Sequence, residues 1–482
     1  MKNFCAHKKQ FLIGSRPVQV NENWQSIKIE ENLYLSYCPE LLVRQTRDLN
    51  GKEWHLLGIA VQTDKEKADP LVEIEHSLTD DVGELYRSWT GRWILVGDNR
   101  IQTDCCGLLG CFYTNTSRHP WISSSLAILH DIELLSPRPE TLKHTFGIEW
   151  YPLPTSRFEG ISKILPSQVL NLKTFSPEPR ALPKPINGLL YGEILEKIIE
   201  KLKFTLLNIS DLGKEIFIAL TAGYDSRVVL AACCYAGIKV KTFTRVDQGT
   251  AYHDVILPPK LSKASGYTHD YIKESSFSKG KEELYDCHVA GNIDHIARKK
   301  FSNGQYDYPT KDDIILSGGV FEVARCYYWK KMNPALNIQT IITAMGLHYS
   351  PESYNVRALT EWVKWVEQTP TEGLDWRDRL YLEQRVAGWL SSLQQALDVT
   401  NTVSLHVMNC HDLISLFLSI PVEKRSTDQH QVDLINQMCP ILLKIPFNPP
   451  DPAFLKLQKK AVKLSKVPIA EVYKKLKKKL FN

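Results

Sequence analysis

No apolar run in this sequence of 482 residues is long enough to cross a lipid bilayer. A membrane-spanning helix needs roughly 18 or more apolar residues, and the longest candidate here, Val228 to Ile238, is much shorter. The beginning of the chain, MKNFCAHKKQFLIG, also lacks an apolar core followed by a cleavage site of small residues, so we expect no secretory signal. Together these absences predict a cytoplasmic protein without a transmembrane segment.

The cysteines lack the spacing of a metal site or a disulfide framework. Eleven are scattered along the chain without any C-x-x-C motif, and the adjacent pairs Cys105-Cys106 and Cys233-Cys234 lie in apolar or strand-like surroundings. We therefore expect reduced thiols in a reducing compartment.

Excess positive charge is missing from the body of the chain. The net charge is +5, but residues 454–482 hold ten lysines and one glutamate, which leaves the rest of the chain slightly acidic. We therefore expect no nucleic-acid partner for the body. The lysine-rich tail is open to two interpretations. It contacts phosphates, acidic lipid or an acidic partner, or it is an amphipathic helix that packs Leu455, Val462 and Leu476 inward.

Residues 1–180 have the pattern of a β-rich region. Short alternating stretches such as WHLLGIAVQT and GRWILVGDNRIQTD are separated by Gly, Asn and Asp turn signals. Four prolines then fall within SPEPRALPKPING, residues 176–188, and we predict a domain boundary there.

After this boundary, strand-like and helix-like segments alternate. EIFIAL is a short buried strand, SRVVLAACCYAG has helical character, KVKTFTR is a further strand, and apolar residues between Leu190 and Leu202 recur at helical spacing. Such alternation predicts a parallel sheet with helices on both faces. Beyond residue 320 the pattern is mostly helical, as in LTEWVKWVEQ and HDLISLFLSIP.

The junction between EIFIAL and SRVVLAACCYAG is the first candidate site. It consists of Thr221, Ala222, Gly223, Tyr224, Asp225, Ser226 and Arg227, which we name the 221–227 loop. A turn after a parallel strand lies at the edge where open α/β sheets bind ligands, and the amides of a helix start attract phosphate. A carboxylate beside a phosphate needs a divalent cation, so Asp225 predicts Mg²⁺. The alternative is that Asp225 only caps the helix.

The 221–227 loop is not the G-x-x-x-x-G-K-[ST] loop of the common NTPases, because that pattern is absent. It resembles the S-G-G-x-D-S pyrophosphate loop of the ATP pyrophosphatases, with Thr221 and Ala222 in the first two places. Those enzymes cleave ATP between its α and β phosphates, and the loop holds the leaving pyrophosphate. The tRNA-thiolating branch would need a reactive cysteine pair near the loop. Cys233-Cys234 lie about two helical turns further on, where we expect buried core.

Further segments resemble the asparagine synthetase family, and they occur in the family's order. In the first region these are GRWILVGDNRIQTDCCGLLGCFYT, WISSSLAIL and FEGISKILPSQVLNL. In the second region, the spacing of Asp254, Ala264, Gly266 and His269 is similar to that of a helix motif of the family. The segment LSGGVFEV resembles a shortened form of a family loop, and SLFLSIP resembles the end of a family helix. The resemblance covers most of the chain.

The resemblance implies an α/β protein with two domains. Residues 1–180 would form an Ntn-hydrolase-like (glutaminase-type) β-sandwich. Residues 181–453 would form an ATP-pyrophosphatase domain (adenine nucleotide α-hydrolase-like) with a parallel sheet and a helical C-terminal part. The lysine-rich tail, 454–482, would follow. A homodimer, which some relatives form, stays open.

The resemblance also implies ATP and Mg²⁺ as cofactors. ATP and pyrophosphate would contact the 221–227 loop from Thr221 to Ser226, together with Ser317, Gly318 and Gly319. Asp225 and Glu322 would hold the metal. The predicted catalytic residues are Lys444, Glu322 and Arg227. For Lys444 the alternative is a surface lysine that covers apolar neighbours, and for Arg227 it is a salt bridge across the helix start.

Several positions depart from the family pattern. Members that hydrolyse glutamine use a cysteine at position 2, where this chain has Lys2, and Cys5 could serve only if the chain were cleaved before it. The first domain would then be a scaffold or cover without glutaminase activity, as in β-lactam synthetases and lasso-peptide cyclases. A family glutamate is replaced by Gly319, and a family aspartate is replaced or displaced around Val320-Phe321.

The predicted function is an AMP-forming carbon–nitrogen ligase of biosynthesis. It would adenylate a small-molecule or peptide carboxylate and join it to an amine or ammonia. The altered positions support a second hypothesis, a catalytically silent scaffold or binding protein of the same fold.

Overall fold

The computed structural model describes most of the chain. The described residues are 7–115, 120–142, 148–247, 250–273, 278–293, 308, 313–329, 335–450 and 452. The predictions for Lys2, Cys5 and the lysine-rich tail therefore concern residues outside the described part.

The first part of the chain forms two antiparallel sheets of six strands each. The strands are β1 (Phe11–Gly14), β2 (Gln25–Glu30), β3 (Leu33–Tyr37), β4 (Val43–Arg47), β5 (Glu53–Gln62), β6 (Trp89–Gly97), β7 (Arg100–Thr103), β8 (Phe112–Thr114), β9 (Ile122–Ser123), β10 (Ile161–Lys163), β11 (Gln168–Asn171) and β12 (Ser176–Pro179). One sheet has the order β10-β8-β9-β1-β3-β2 and the other β12-β11-β7-β6-β5-β4. The predicted β-rich character is confirmed.

The two antiparallel sheets share one hydrophobic core. Phe11 and Ile13 of β1 pack in the same cluster as Leu57 of β5 and Ile94 of β6. The residues between them, such as Leu12 and Leu56, are buried as well and belong to separate clusters on the opposite faces of the two sheets.

The proline-rich segment 176–188 begins with a β-strand, which lies within the predicted first domain. Its first residues form β12, which pairs only with β11 at the edge of the sheet. Pro177 and Pro179 are tolerated there, because an edge strand does not need every backbone N–H for pairing.

The second part of the chain contains a five-stranded parallel sheet. Its strands are β13 (Ile216–Ala219), β14 (Lys241–Val246), β15 (Thr268–Lys273), β16 (Ile314–Ser317) and β17 (Val403–His406), in the order β15-β14-β13-β16-β17. The predicted parallel sheet and the strands in EIFIAL and KVKTFTR are confirmed. The fold is therefore mixed α/β, with two antiparallel sheets and one parallel sheet.

The helices follow the apolar periodicity in most places. They are α1 (Pro70–Glu75), α2 (Thr79–Leu85), α3 (Leu126–Glu133), α4 (Tyr191–Ser210), α5 (Asp225–Ala236), α6 (Tyr252–Ile256), α7 (Pro258–Ala264), α8 (Lys279–Val289), α9 (Ile338–Ala344), α10 (Tyr354–Gln368), α11 (Trp376–Leu380), α12 (Ser391–Leu397), α13 (His411–Leu418), α14 (Val422–Ser426) and α15 (Gln429–Met438). Short 3₁₀ helices span Tyr86–Ser88, Phe321–Arg325 and Pro440–Lys444, and a π-helix spans Tyr381–Leu390.

The helix prediction needs two corrections. Leu190 precedes α4 and is exposed, so it does not belong to the buried stripe. The predicted helix around Asp254 is broken between α6 and α7, because Pro258 has no amide N–H to continue a helix and instead begins the next one.

Among the described residues, no helix is both long and apolar enough to cross a membrane. The described cysteines are free thiols; Cys233 is buried inside α5, as predicted, whereas its neighbour Cys234 is only partly buried.

Candidate functional site

The strand order of the parallel sheet reverses between β13 and β16. From β13 the chain continues to β14 and β15 on one side, whereas β16 and β17 lie on the other. In open α/β sheets, a crevice forms outside the carboxyl ends of the strands at such a reversal, and ligands bind there. The 221–227 loop follows β13, and Gly318 and Gly319 follow Ser317, the last residue of β16. The structure therefore brings these two predicted segments to one crevice.

Ser226 fixes the shape of the 221–227 loop. Its Oγ accepts the backbone N–H of Thr221 at 3.1 Å and lies 3.0 Å from the Thr221 hydroxyl. The Gly223 N–H points to the same hydroxyl at 3.3 Å. These bonds tie the end of β13 to the first turn of α5.

One amide of the loop already binds an oxyanion that belongs to the chain itself. The backbone N–H of Ala222 donates to Oδ1 of Asp254, on α6, at 2.7 Å. This contact shows that the loop amide is directed toward an anionic partner, although here the partner is a carboxylate.

Gly318 allows the two loops to touch. A Cβ atom at Gly318 would lie 2.8 Å from the Cβ of Asp225, closer than carbon atoms pack. At Gly319 a Cβ atom would lie 2.9 Å from Cε1 of His406, which is almost fully buried. The structure thus gives a physical reason for glycine at both positions, including the one where the family carries glutamate.

Asp225 lies near the carboxylates of Glu322 and Asp428 and beside the guanidinium of Arg325. Its Oδ1 accepts from the side-chain amide of Gln431 at 2.8 Å, and its Oδ2 is 3.4 Å from Nη1 of Arg325. Burial, together with the negative charges of Glu322 and Asp428, outweighs Arg325 and raises the pKa of Asp225 to about 6. Arg325 is shared, because it also binds Asp428 at 2.7 Å.

Glu322 faces the same crevice from the 3₁₀ helix that follows Gly319. Its Oε2 accepts the hydroxyl of Tyr381 at 2.5 Å and is 4.0 Å from Nε of Arg385. Its negative charge contributes to the raised pKa of Asp225. Asp225 and Glu322, the two predicted metal ligands, are therefore close enough to interact electrostatically.

The carboxylates fit a divalent cation in charge. Asp225, Glu322 and Asp428 carry three negative charges against the two positive charges of Arg325 and Arg385, and Mg²⁺ would balance the remaining excess of acid. Within the part of the chain that the structure describes, no group of three or more His, Cys, Asp or Glu side chains is arranged as a ready metal cage. Mg²⁺ commonly takes only one or two carboxylates and completes its shell with phosphate and water.

Arg227 holds the C-terminal segment of the site in place. Its buried guanidinium donates to the carbonyl groups of Ile445 at 2.5 Å, Pro446 at 2.9 Å and Ala222 at 3.1 Å. It also lies 3.8 Å from the ring centre of Phe447. These partners are carbonyl groups, so the alternative interpretation of Arg227 as part of a salt bridge across the helix start is not supported. The catalytic role of Arg227 stays a prediction.

The same C-terminal segment carries Lys444 and reaches the 221–227 loop. Lys444 ends the 3₁₀ helix Pro440–Lys444 and is exposed. Beyond it, Phe447 stacks on Tyr224 with ring centres 4.3 Å apart, and the Asn448 N–H approaches the Ala222 carbonyl at 3.4 Å. The catalytic role of Lys444 also stays a prediction.

Sequence reasoning missed several residues of this crevice. Arg325, Asp428 and Gln431 contact Asp225 directly or through one another, and Tyr381 binds Glu322. None belongs to a motif, because these contacts join positions about 100 or more residues apart in most cases. The π-helix that carries Tyr381 gives no local signal in the sequence either.

Comparisons with known proteins show no family for this chain. No protein-family model matches it, and no curated protein is similar to it in sequence. Among solved structures, the glutamine phosphoribosylpyrophosphate (PRPP) amidotransferase from B. subtilis, complexed with ADP and GMP, is 9% identical, with 66% of this chain and 72% of that chain covered and a TM-score of 0.23. A structure described as the allosteric regulatory enzyme of purine biosynthesis is also 9% identical, with 73% of this chain and 89% of that chain covered and a TM-score of 0.25. Likeness at these scores carries no argument about function.

Proposed function

We propose that the chain is an ATP-dependent ligase that forms AMP and pyrophosphate, activates a substrate carboxylate and joins it to an amine or ammonia. The main support is the contact between Asp225 and Gly318 at the reversal of strand order. A helix start, a carboxylate and a glycine loop then meet at the crevice where open α/β sheets bind nucleotides. The motif resemblance to asparagine synthetases supplies the reaction class.

In this proposal the chain binds ATP through the 221–227 loop and the Ser317–Gly319 loop. Asp225 and Glu322 would hold Mg²⁺, which stabilises negative charge on the leaving pyrophosphate when it is bound. Arg325, beside Asp225, adds a side-chain cation at the same place. The substrate carboxylate displaces pyrophosphate from the α phosphorus, and the amine then displaces AMP to form the amide.

Arg227 and Lys444 have different parts in this proposal. Arg227 orients the segment 442–448 by binding its carbonyl groups and thereby supports the wall of the crevice. Lys444, on that segment, supplies a positive charge for the phosphates. The first domain covers the site and has no glutaminase activity in this proposal.

A catalytically silent scaffold is the second candidate, and a specific observation favours it. The carboxylate of Asp254 occupies the N–H of Ala222, and the hydroxyl of Tyr381 occupies one oxygen of Glu322. A protein that binds no nucleotide could keep its loops in order by such internal contacts.

Exchange of radiolabelled pyrophosphate into ATP separates the two candidates. We would measure it with Mg²⁺ and pools of carboxylic acids and peptides, for the wild type, Asp225→Ala and the exposed control Asp211→Ala. The ligase proposal expects exchange that needs Mg²⁺ and a particular acid, and that Asp225→Ala but not Asp211→Ala abolishes. Absence of exchange with every pool, together with no ATP binding by calorimetry, would favour the scaffold.

A further inference from the structure

A second cavity lies away from the 221–227 loop, where the antiparallel sheets meet the parallel sheet. Its volume is about 580 Å³, within the range of roughly 300–1,000 Å³ that is typical of small-molecule sites. Lys214, just before β13, and Val403, at the start of β17, line it. The cavity therefore borders the amino ends of the parallel strands, whereas the 221–227 loop lies at their carboxyl ends.

Apolar side chains form much of the cavity wall. Leu41, Ile59 and Leu109 are buried, and Val403 contributes from the parallel sheet. Leu42 lines the same cavity but is 47% exposed. An apolar ligand body that covered Leu42 and the remaining exposed surface of the wall would remove that surface from water, which is favourable in proportion to the area buried.

The charged groups of the wall are mostly cationic. Lys8, Lys9, Lys214 and Arg92 line the cavity, and Glu40 is the acid among the lining residues. Arg92 is neutralised by Asp398, which it binds through both terminal nitrogens.

Two of the lysines are held at the cavity by contacts with the turn before β17. Lys9 Nζ donates to the carbonyl groups of Thr400 at 2.8 Å and Thr402 at 2.7 Å. Lys8 Nζ donates to Oδ1 of Asn401 at 2.8 Å. This acceptor is a neutral amide, so it positions the ammonium group of Lys8 without cancelling its charge.

We propose that this cavity binds a small organic acid with an apolar body. The carboxylate of the ligand pairs with Lys8, and its apolar part packs against Leu41, Ile59 and Leu109. The ligand would contact lining residues of the antiparallel part, such as Lys8 and Leu109, and also Asn401 and Val403 beside the parallel sheet. Binding would therefore stabilise the junction between the antiparallel and parallel sheets. This site does not depend on the proposed ligase function.

Displacement of the anionic fluorophore ANS from the full-length protein tests the proposal. Octanoate is compared with octanol and octylamine, which share the tail but differ in charge, and with acetate, which lacks the tail. We expect octanoate to bind at least about tenfold more tightly than each of the others, because it combines burial with charge pairing. Equal affinity for octanoate and octanol, or for octanoate and octylamine, would overturn the proposal.

Variants locate the binding site. Lys8→Gln should weaken octanoate binding about fivefold, since a partly exposed ion pair is lost. Leu42→Asp places a negative charge at an exposed position of the wall and should weaken binding at least about tenfold. Lys28→Gln, an exposed lysine on β2, is the control and should leave the affinity unchanged. Wild-type affinity in both Lys8→Gln and Leu42→Asp, with unchanged thermal unfolding, would place any octanoate site elsewhere and refute the proposal.

Discussion

The guanidinium of Arg92, on β6, donates through both terminal nitrogens to the carboxylate of Asp398, just after α12, at 2.5 Å and 2.6 Å. Both side chains are almost fully buried. Gln10 adds a bond of 3.1 Å to the same carboxylate, and Arg92 Nε donates to the carbonyl of Leu108 at 3.0 Å. This ion pair ties the antiparallel part of the chain to the segment that leads into β17.

We predict that Arg92→Met lowers the free energy of unfolding by about 3–5 kcal/mol, because it leaves the charge of Asp398 buried without its partner. The double variant Arg92→Met/Asp398→Leu should lose clearly less, since no charge remains to be buried. Urea unfolding at neutral pH measures both. Equal losses in the single and double variants would show that packing of Arg92, and not its charge, stabilises the junction.

Gly318→Ala should disrupt the candidate nucleotide site. The added Cβ atom would lie 2.8 Å from the Cβ of Asp225, so one of the two loops has to move. We expect pyrophosphate exchange or ATP binding to fall at least about tenfold, which corresponds to roughly 1.4 kcal/mol of binding energy. Gly192→Ala is the matched control, since no atom lies within 4 Å of the added Cβ position. Similar losses in both variants would contradict the predicted contact.

Protonation of Asp225 should control metal binding. Its pKa is raised to about 6, so the carboxylate is largely ionised at neutral pH and protonated below pH 6. The affinity for Mg²⁺, measured by titration in the presence of ATP, should therefore fall about tenfold for each pH unit below 6. A metal affinity that stays constant between about pH 5 and pH 7 would contradict this assignment.

The raised pKa of Asp225 also predicts that the metal-free protein becomes less stable as the pH rises, whereas its affinity for Mg²⁺ increases. Because the folded state holds the proton of Asp225 more tightly than the unfolded state, the contribution of this residue falls as pH rises from about 4 to about 6. Asp225→Asn should remove this slope and be more stable than the wild type at pH 7, by at most about 3 kcal/mol. Urea unfolding from pH 4.5 to 7.5, in buffers without divalent ions, gives the comparison.

Arg227→Lys should loosen the segment 442–448. A lysine has one nitrogen and cannot reach the carbonyl groups of Ala222, Ile445 and Pro446 together. We expect a loss of stability of about 2–4 kcal/mol and faster proteolysis near residue 445. If Arg227 only positions this segment, KM for ATP should rise more than kcat falls. A large loss of kcat at unchanged KM and unchanged proteolysis would instead support the predicted catalytic role.

Local patterns were sufficient for the elements that build the crevice. EIFIAL and SRVVLAACCYAG predicted β13 and α5, because a short apolar run and an apolar stripe at helical spacing are properties of neighbouring residues. For the proline-rich segment 176–188, local patterns were not sufficient to predict the strand β12. Whether Pro177 lies in a strand depends on its position at a sheet edge, and that position is set by pairing with β11.

The sequence by itself determined the alternation of strands and helices, the turn between β13 and α5, and the set of small and acidic residues placed at that turn. Only the tertiary structure decided which distant side chains surround Asp225, and these include Arg325, Gln431 and Glu322. It also placed Asp254 on the Ala222 amide. These contacts depend on strand order and on the packing of α15 against α5. Such long-range relations arise when non-local apolar surfaces are buried together, and no spacing within one segment encodes them.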